Sequence, residues 1–271
     1  MKRHPFARIA SLTGVGLVVA ACGPLSAQRY DRCEIRRDVE LDLPINGIQL
    51  LDVTAKSGSL DIEGSSTARA IQVTATICAS DEDRMDGLDV SLERSGSRAV
   101  LETIFPDHNS SWRDGYAHID VVVTVPTGLD ARVVDGSGHA NISGVGALNV
   151  DDGSGHLVLR DIGGDVNIED GSGHVEVFDV TGSVRIDDGS GAITISGVDG
   201  SVTLEDGSGS VDIDDVTRDV NVTDKGSGTI DVRDVQGDLS VAGTRRERIR
   251  YDNVAGSLDL PAPRRRGRRG N

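Results

Sequence analysis

Carboxylates recur along the second half of this 271-residue chain at a spacing that would bring them into files. Asp151, Glu169, Asp187 and Glu205 form one series and Asp152, Asp170, Asp188 and Asp206 the next, each step being 18 residues. If 18-residue units stack in register, both series become outward columns with neighbours about 5 Å apart. Like charges at that distance in water repel by roughly 1 kcal/mol or less per pair. A hard cation such as Ca²⁺, which takes six to eight oxygens, would relieve this. The glycine-rich nonapeptide of calcium-binding repeats is absent, however, so the simpler expectation is a solvated acidic surface, with Ca²⁺ as the alternative.

A second series is His139, His156 and His174, which share one slot of consecutive units and face outward by alternation. Neighbouring imidazoles could share a borderline metal, although three in line would span about 10 Å. The same slot carries Ala192, Ser210 and Thr229 further on. The repeat does not need histidine there, and a surface ladder without a ligand is the expectation.

The tetrapeptide Asp-Gly-Ser-Gly, which begins at Asp135, Asp152, Asp170, Asp188 and Asp206, with a variant at Asp224, supplies the remaining candidates. A phosphate cradle is unsuited, because the loop recurs on every unit and lacks the Lys-Ser/Thr ending. Ser137 and His139 beside Asp135 cannot form a hydrolytic triad from adjacent positions of one strand. The turn explanation suffices: aspartate accepts from nearby amides and glycine supplies positive φ. No catalytic or cofactor-binding residue is singled out, which points to a non-enzymatic chain. A polysaccharide-processing β-helix enzyme is the alternative from another class. Against it, the basic residues Arg160, Arg185, Arg218, Lys225 and Arg233 form no evident cluster.

The elements that must position these groups follow from the repeat. In the unit from Asp170 to Asp187, Val175 and Val177 alternate with His174 and Glu176, and Val184 and Ile186 with Arg185 and Asp187. Period-two alternation marks half-buried strands, so each unit is two short strands and two tight turns. Five apolar side chains cannot offset the ordering entropy of eighteen backbones. The units must therefore stack and share ladders. The expected fold is all-β: a right-handed parallel β-solenoid of about 18-residue two-strand coils, with a meander of antiparallel hairpins as the alternative. The expected divisions are a signal peptide over 1–21, a linker over 22–37, an irregular N-terminal β-cap over 38–134, the solenoid over 135–260 and a basic, disordered tail over 261–271. Within the cap, Ser57-Gly58-Ser59 reads as a degenerate copy of the later turn.

The stretch VTVPTGLDARVVDGSGHANISGVGALNVDDGSG, followed by the repeated Gly-x-Val-x-Ile-x-Asp-Gly-Ser-Gly units, resembles the bacterial domain-of-unknown-function family known as putative adhesins or β-strand-repeat proteins. The likeness runs from about Leu41 to Leu260. It implies an exported β-solenoid and an adhesin-like role, and carries no catalytic residue to transfer.

The address agrees. Lys2, Arg3 and Arg8 precede the apolar run from Ile9 to Ala21, which is too short to span a bilayer and has the form of a secretory signal. The run ends in Val19-Ala20-Ala21-Cys22, which resembles the lipobox of bacterial lipoproteins; the resemblance implies acylation of Cys22 and membrane attachment through the lipid. Gly23 in place of aspartate favours the outer membrane by analogy with enterobacterial sorting. Cleavage after Ala27, giving a soluble periplasmic protein, is the alternative. Export makes Cys33 and Cys78 an even pair in an oxidising compartment, where a disulfide is expected.

Charge narrows the partners. Acidic residues outnumber basic ones 44 to 28, for a formal charge of −16, which argues against nucleic-acid binding. From Asp135 to Ala242 there are 22 acidic and 5 basic residues. The C-terminus instead gathers Arg264, Arg265, Arg266, Arg268 and Arg269, a run suited to anionic lipid, lipopolysaccharide or the acidic solenoid of a second copy. Between Ile104 and His118, Trp112 and Tyr116 could stack on an envelope polysaccharide or anchor a protein partner; the competing expectation is that this loop folds back as a cap.

Overall fold

A computed structural model describes residues 33–106, 115–224 and 226–263. The chain opens with strands β1 (Ile35–Pro44), β2 (Leu50–Ser65) and β3 (Ala70–Ala79), a single helical turn α1 (Glu82–Met85), and strands β4 (Asp89–Ser95), β5 (Arg98–Ile104), β6 (Ala117–Pro126) and β7 (Asp130–Ser143). From there the strands alternate between two arms. One arm comprises β8 (Leu148–Asp152), β10 (Val166–Asp170), β12 (Val184–Asp188), β14 (Val202–Asp206), β16 (Val220–Asp224), β18 (Leu239–Ala242) and β20 (Leu258–Asp259). The other comprises β9 (Gly155–Ile162), β11 (Gly173–Val180), β13 (Gly191–Val198), β15 (Gly209–Val216), β17 (Ile230–Val235) and β19 (Ile249–Val254).

Each strand pairs in parallel with its counterpart one coil away, as in Val166↔Val184 and Val175↔Ile193. The result is a β-solenoid of about seven turns, with coils about 18 residues apart. The meander is excluded, because the repeat strands pair only in parallel. Alternation is the cause: Val184, Ile186, Val175 and Val177 are buried while Arg185, Asp187, Glu176 and Phe178 are not. The two arms thus close their apolar faces over a continuous column of Val, Ile and Leu.

The solenoid begins inside the segment read as a cap. Strand β2 pairs in parallel with β7 along both arms, and Ser57-Gly58-Ser59 aligns with Ser137-Gly138-His139, the degenerate turn copy anticipated from sequence. Strands β5 and β6 pair in parallel with the two ends of β2. Together they make a further coil, interrupted between Ile104 and Ala117 where later coils carry Asp-Gly-Ser-Gly. The cap proper is antiparallel: β4 covers the edge of β5, β3 covers β6, and β1 covers β3. This ends the parallel stack at a protected edge. A Cys33–Cys78 disulfide, with Cα atoms 5.1 Å apart, ties the start of β1 to the end of β3.

Both turns are built from coil-to-coil contacts. Gly155 has φ +149, and a Cβ on it would lie 2.0 Å from the carbonyl oxygen of Gly138, so a side chain cannot be accommodated. At the opposite corner, Asp161, Asp179, Asp215 and Asp234 adopt φ of 51–57°, a region that aspartate tolerates better than most residues. One such residue is skipped in each pairing, as Asp179 is between Phe178↔Ser196 and Val180↔Val198. The next turn is held by aspartate side chains: Asp165 Oδ1 accepts from the Ser183 amide at 2.8 Å, and Asp219 Oδ1 from that of Asp238 at 2.8 Å.

Candidate binding faces of the solenoid

The outward positions of the first arm form two parallel files. Arg132, Asn149, Asn167, Arg185 and Thr203 make one, in register from coil to coil. Two residues further along each strand, Asp151, Glu169, Asp187 and Glu205 make the other. The first file lines an open groove of about 700 Å³, rimmed by turn residues that include Asp165, Ser183 and Ser201. Arg132 and Arg185 are exposed, and neither pairs with another described side chain. The groove therefore offers one donor-bearing side chain per coil, repeating at the interstrand distance of about 4.8 Å. Arg185 was visible in the sequence but grouped with other bases; Arg132, Asn149 and Asn167 were missed, because their meaning lies in the register.

The second arm presents a more interconnected face. The rings of His139 and His156 lie 4.9 Å apart and those of His156 and His174 5.0 Å apart, so the predicted ladder exists. Glu176, two residues beyond His174 on the same strand, joins it: its Oε1 lies 3.2 Å from His156 Nε2 and 3.7 Å from His174 Nε2. Its Oε2 faces Arg160 at 3.7 Å, and that guanidinium lies over the Phe178 ring, 4.2 Å from its centroid. His139 Nε2 is instead 3.1 Å from Asn141 Oδ1, while the Asn141 amide donates to Asp61 at 2.7 Å. Further along, Arg233 bonds Asp212 at 2.8 Å and Asp231 at 3.3 Å. Spacing alone did not reveal Glu176 as the residue that unites the histidines.

The second carboxylate series requires a correction. Asp152, Asp170, Asp188 and Asp206 were expected outside, but they are 1–6% exposed and lie in the interior. The reason is alternation carried one step further: after Val184 and Ile186 the next inward position is Asp188, as the burial of β12 records. Asp135 and Asp224 extend the file and are buried too. Two of these carboxyls hold their own turns: Asp188 Oδ1 accepts from the Ser190 amide at 3.1 Å and Asp224 Oδ1 from the Gly226 amide at 2.7 Å. Yet Asp152 Oδ1, Asp170 Oδ1, Asp188 Oδ2 and both oxygens of Asp206 are buried without a hydrogen-bond partner of good geometry. Desolvation, reinforced by the facing aspartates, pushes Asp152 and Asp188 up to about 7. Burial alone raises Asp135 to about 6. Asp170 and Asp206 are raised as well, chiefly by burial. Among the described residues, neither carboxylate series gathers three ligand atoms within 4.8 Å, the arrangement found only for His156, His174 and Glu176.

Tyr116 serves the cap: its hydroxyl accepts from the Glu34 amide at 3.2 Å, and its ring stacks on His118 with centroids 6.0 Å apart. Trp112, Cys22 and the arginines from Arg264 to Arg269 lie outside the described residues.

No family profile and no curated protein matches the chain. Solved structures do. A putative cell adhesion protein from Clostridium sporogenes is 14% identical, with a TM-score of 0.41, over 80% of this chain and 100% of its own. A putative adhesin from Bacteroides fragilis is 11% identical, with a TM-score of 0.39, over 82% and 96%. A putative lipid binding protein from Parabacteroides distasonis is 13% identical, with a TM-score of 0.43, over 83% and 97%. The chain is thus similar to bacterial proteins described as adhesins, at a distance that transfers no activity.

Proposed function

We propose that the chain is an exported envelope protein, attached through an acylated Cys22, whose solenoid is a non-enzymatic binding module of adhesin type. Its partner is an extended envelope polysaccharide bearing anionic groups, taken along the groove of the first arm. The observation that carries this reading is the file Arg132, Asn149, Asn167, Arg185 and Thr203, one polar side chain per coil in register along an open groove. A linear polymer of hydroxyl and acid groups matches such a ladder, because each coil repeats the contact of the last. Guanidinium groups recognise carboxylate or phosphate substituents in a bidentate manner, and the amides of Asn149 and Asn167 can both donate and accept.

The non-enzymatic reading rests on where the unusual carboxyls are. A glycosidase needs an acid tuned to hold its proton beside the scissile bond. Here the carboxyls pushed towards neutrality, Asp152 and Asp188, sit in the interior, away from any substrate on the surface. Among the described residues no helix is long and apolar enough to cross a membrane; in this reading the lipid on Cys22 supplies the membrane attachment. The test is to incubate the purified mature chain with polysaccharide extracted from a bacterial envelope. Saturable retention without change in polymer length supports the reading. Shortened polymer would establish the enzyme alternative, and no retention of any envelope fraction would remove the binding role.

A further inference from the structure

We propose that His156, His174 and Glu176 form a binding site for a borderline divalent transition metal, with Zn²⁺ as the reference ion. This goes beyond the polysaccharide reading and stands on the other arm of the solenoid.

The site follows from register. His156 on β9 and His174 on β11 occupy paired positions of adjacent parallel strands, and Glu176 is two residues beyond His174 on the same face. Carboxylate and imidazole atoms accordingly converge: Glu176 Oε1 is 3.2 Å from one Nε2 and 3.7 Å from the other. Ligands bound to Zn²⁺ at about 2.0–2.1 Å in a tetrahedron lie roughly 3.3–3.4 Å from one another. The two carboxylate–imidazole distances bracket what a shared ion requires, and all three ligand atoms lie within 4.8 Å of one another. Two imidazoles with one carboxylate leave a fourth position for water or a partner's ligand, the open form of a zinc site.

The surroundings hold the trio in place. Arg160 faces Glu176 through Oε2, leaving Oε1 to the histidines, and Arg160 is itself seated over Phe178. Such outer contacts orient metal ligands and are worth about 10–100-fold in affinity. On the neighbouring coil, His139 is turned to Asn141 and so does not compete for Glu176. Two imidazole nitrogens select against Ca²⁺ and Mg²⁺ and in favour of Zn²⁺, Ni²⁺ or Cu²⁺. The side chains of His156, His174 and Glu176 are 39%, 44% and 24% exposed, so an ion can enter directly from solvent.

The test is calorimetric titration of the untagged chain with Zn²⁺ in excess Ca²⁺, which occupies oxygen-only sites. One tight site per chain is expected, weakened at least ~10-fold in His174→Ala and in Glu176→Gln. His118→Ala, on a strand of the same arm outside the trio, should keep the affinity within about twofold. Co²⁺ in place of Zn²⁺ should give a visible ligand-field spectrum that His156→Ala abolishes. Because the three side chains are partly exposed, the metal-free melting temperature of each variant should match the parent. Absence of a Zn²⁺ site, or a site unchanged by loss of His174 and of Glu176, would overturn the proposal.

Discussion

Asp170 and Asp188 stand at the same register of adjacent parallel strands, with both side chains turned into the solenoid at 6% and 3% exposure. An aspartate on the inward side of a strand is costly when ionised, because burial removes the water that would solvate the charge. Asp188 Oδ1 accepts from the Ser190 amide, and burial favours the neutral acid form of both residues.

The pH dependence should therefore run opposite to ordinary acid denaturation. The ordinary aspartate value is 3.8, and Asp152 and Asp188 are raised to about 7 and Asp135 to about 6. Between those limits the folded state binds more protons than the unfolded one, so stability falls as pH rises. This contribution is fully present below about 3.8 and is lost as pH climbs through about 6–7. Urea unfolding should give a higher midpoint at pH 5 than at pH 8, with stability falling by on the order of 1–3 kcal/mol for each of these aspartates that ionises. Asp188→Asn, which keeps the shape and carries no charge, should raise the midpoint at pH 8 and flatten the slope. A midpoint that rises from pH 5 to pH 8 would refute this account of the interior file.

How far the sequence carries can be judged from this same unit. Val175, Val177, Val184 and Ile186 declare the strands and their inner faces by alternation, and the 18-residue period declares the stack. Asp188 was misplaced because acidity outweighed its parity; extending the Val184, Ile186 pattern by one step would have put it inside. The Glu176 contact with His156 joins residues 20 apart in the chain, and only the coil register reveals it. The left-handed Asp161 and Asp179 were likewise invisible, since Asp-Ile and Asp-Val pairs read as ordinary strand ends. Strand β2 escaped recognition as a coil because its turn retains only Ser57-Gly58-Ser59 of the repeated tetrapeptide.

Reduction should loosen the cap. The Cys33–Cys78 bond closes a 45-residue separation, worth about 3–4 kcal/mol in the chain-entropy description. A dithiol reductant, or Cys78→Ala paired with Cys33→Ala, should lower Tm by several degrees. Equal melting curves with and without reductant would show that β1 contributes little to stability.

Glycine substitutions should separate by position. Gly173 has φ +152, and a Cβ there would meet the Gly155 carbonyl oxygen at 2.1 Å. Gly173→Ala should therefore force adjacent coils apart and destabilise by about 2–5 kcal/mol. Gly163 has its nearest such neighbour at 3.5 Å, and Gly163→Ala should change stability by less than about 1 kcal/mol. Similar losses for both would mean that coil spacing is not set at the Asp-Gly-Ser-Gly corner.

Export has its own signature. The mass of the chain purified from its native membrane should correspond to an N-terminus at Cys22 carrying acyl chains, and Cys22→Ser should release it into the soluble fraction. A mature N-terminus following Ala27 would replace the lipid anchor with ordinary cleavage.

The most direct test of the central claim compares polysaccharide binding by the parent chain and by the Arg132→Ala/Arg185→Ala double variant, in parallel with Asp212→Asn on the opposite arm. The account predicts that the double variant loses at least ~10-fold in affinity, since each guanidinium–anion contact contributes about 1.5–3 kcal/mol, and that Asp212→Asn binds as the parent does. Undiminished binding by the double variant would contradict the assignment of the groove as the recognition surface.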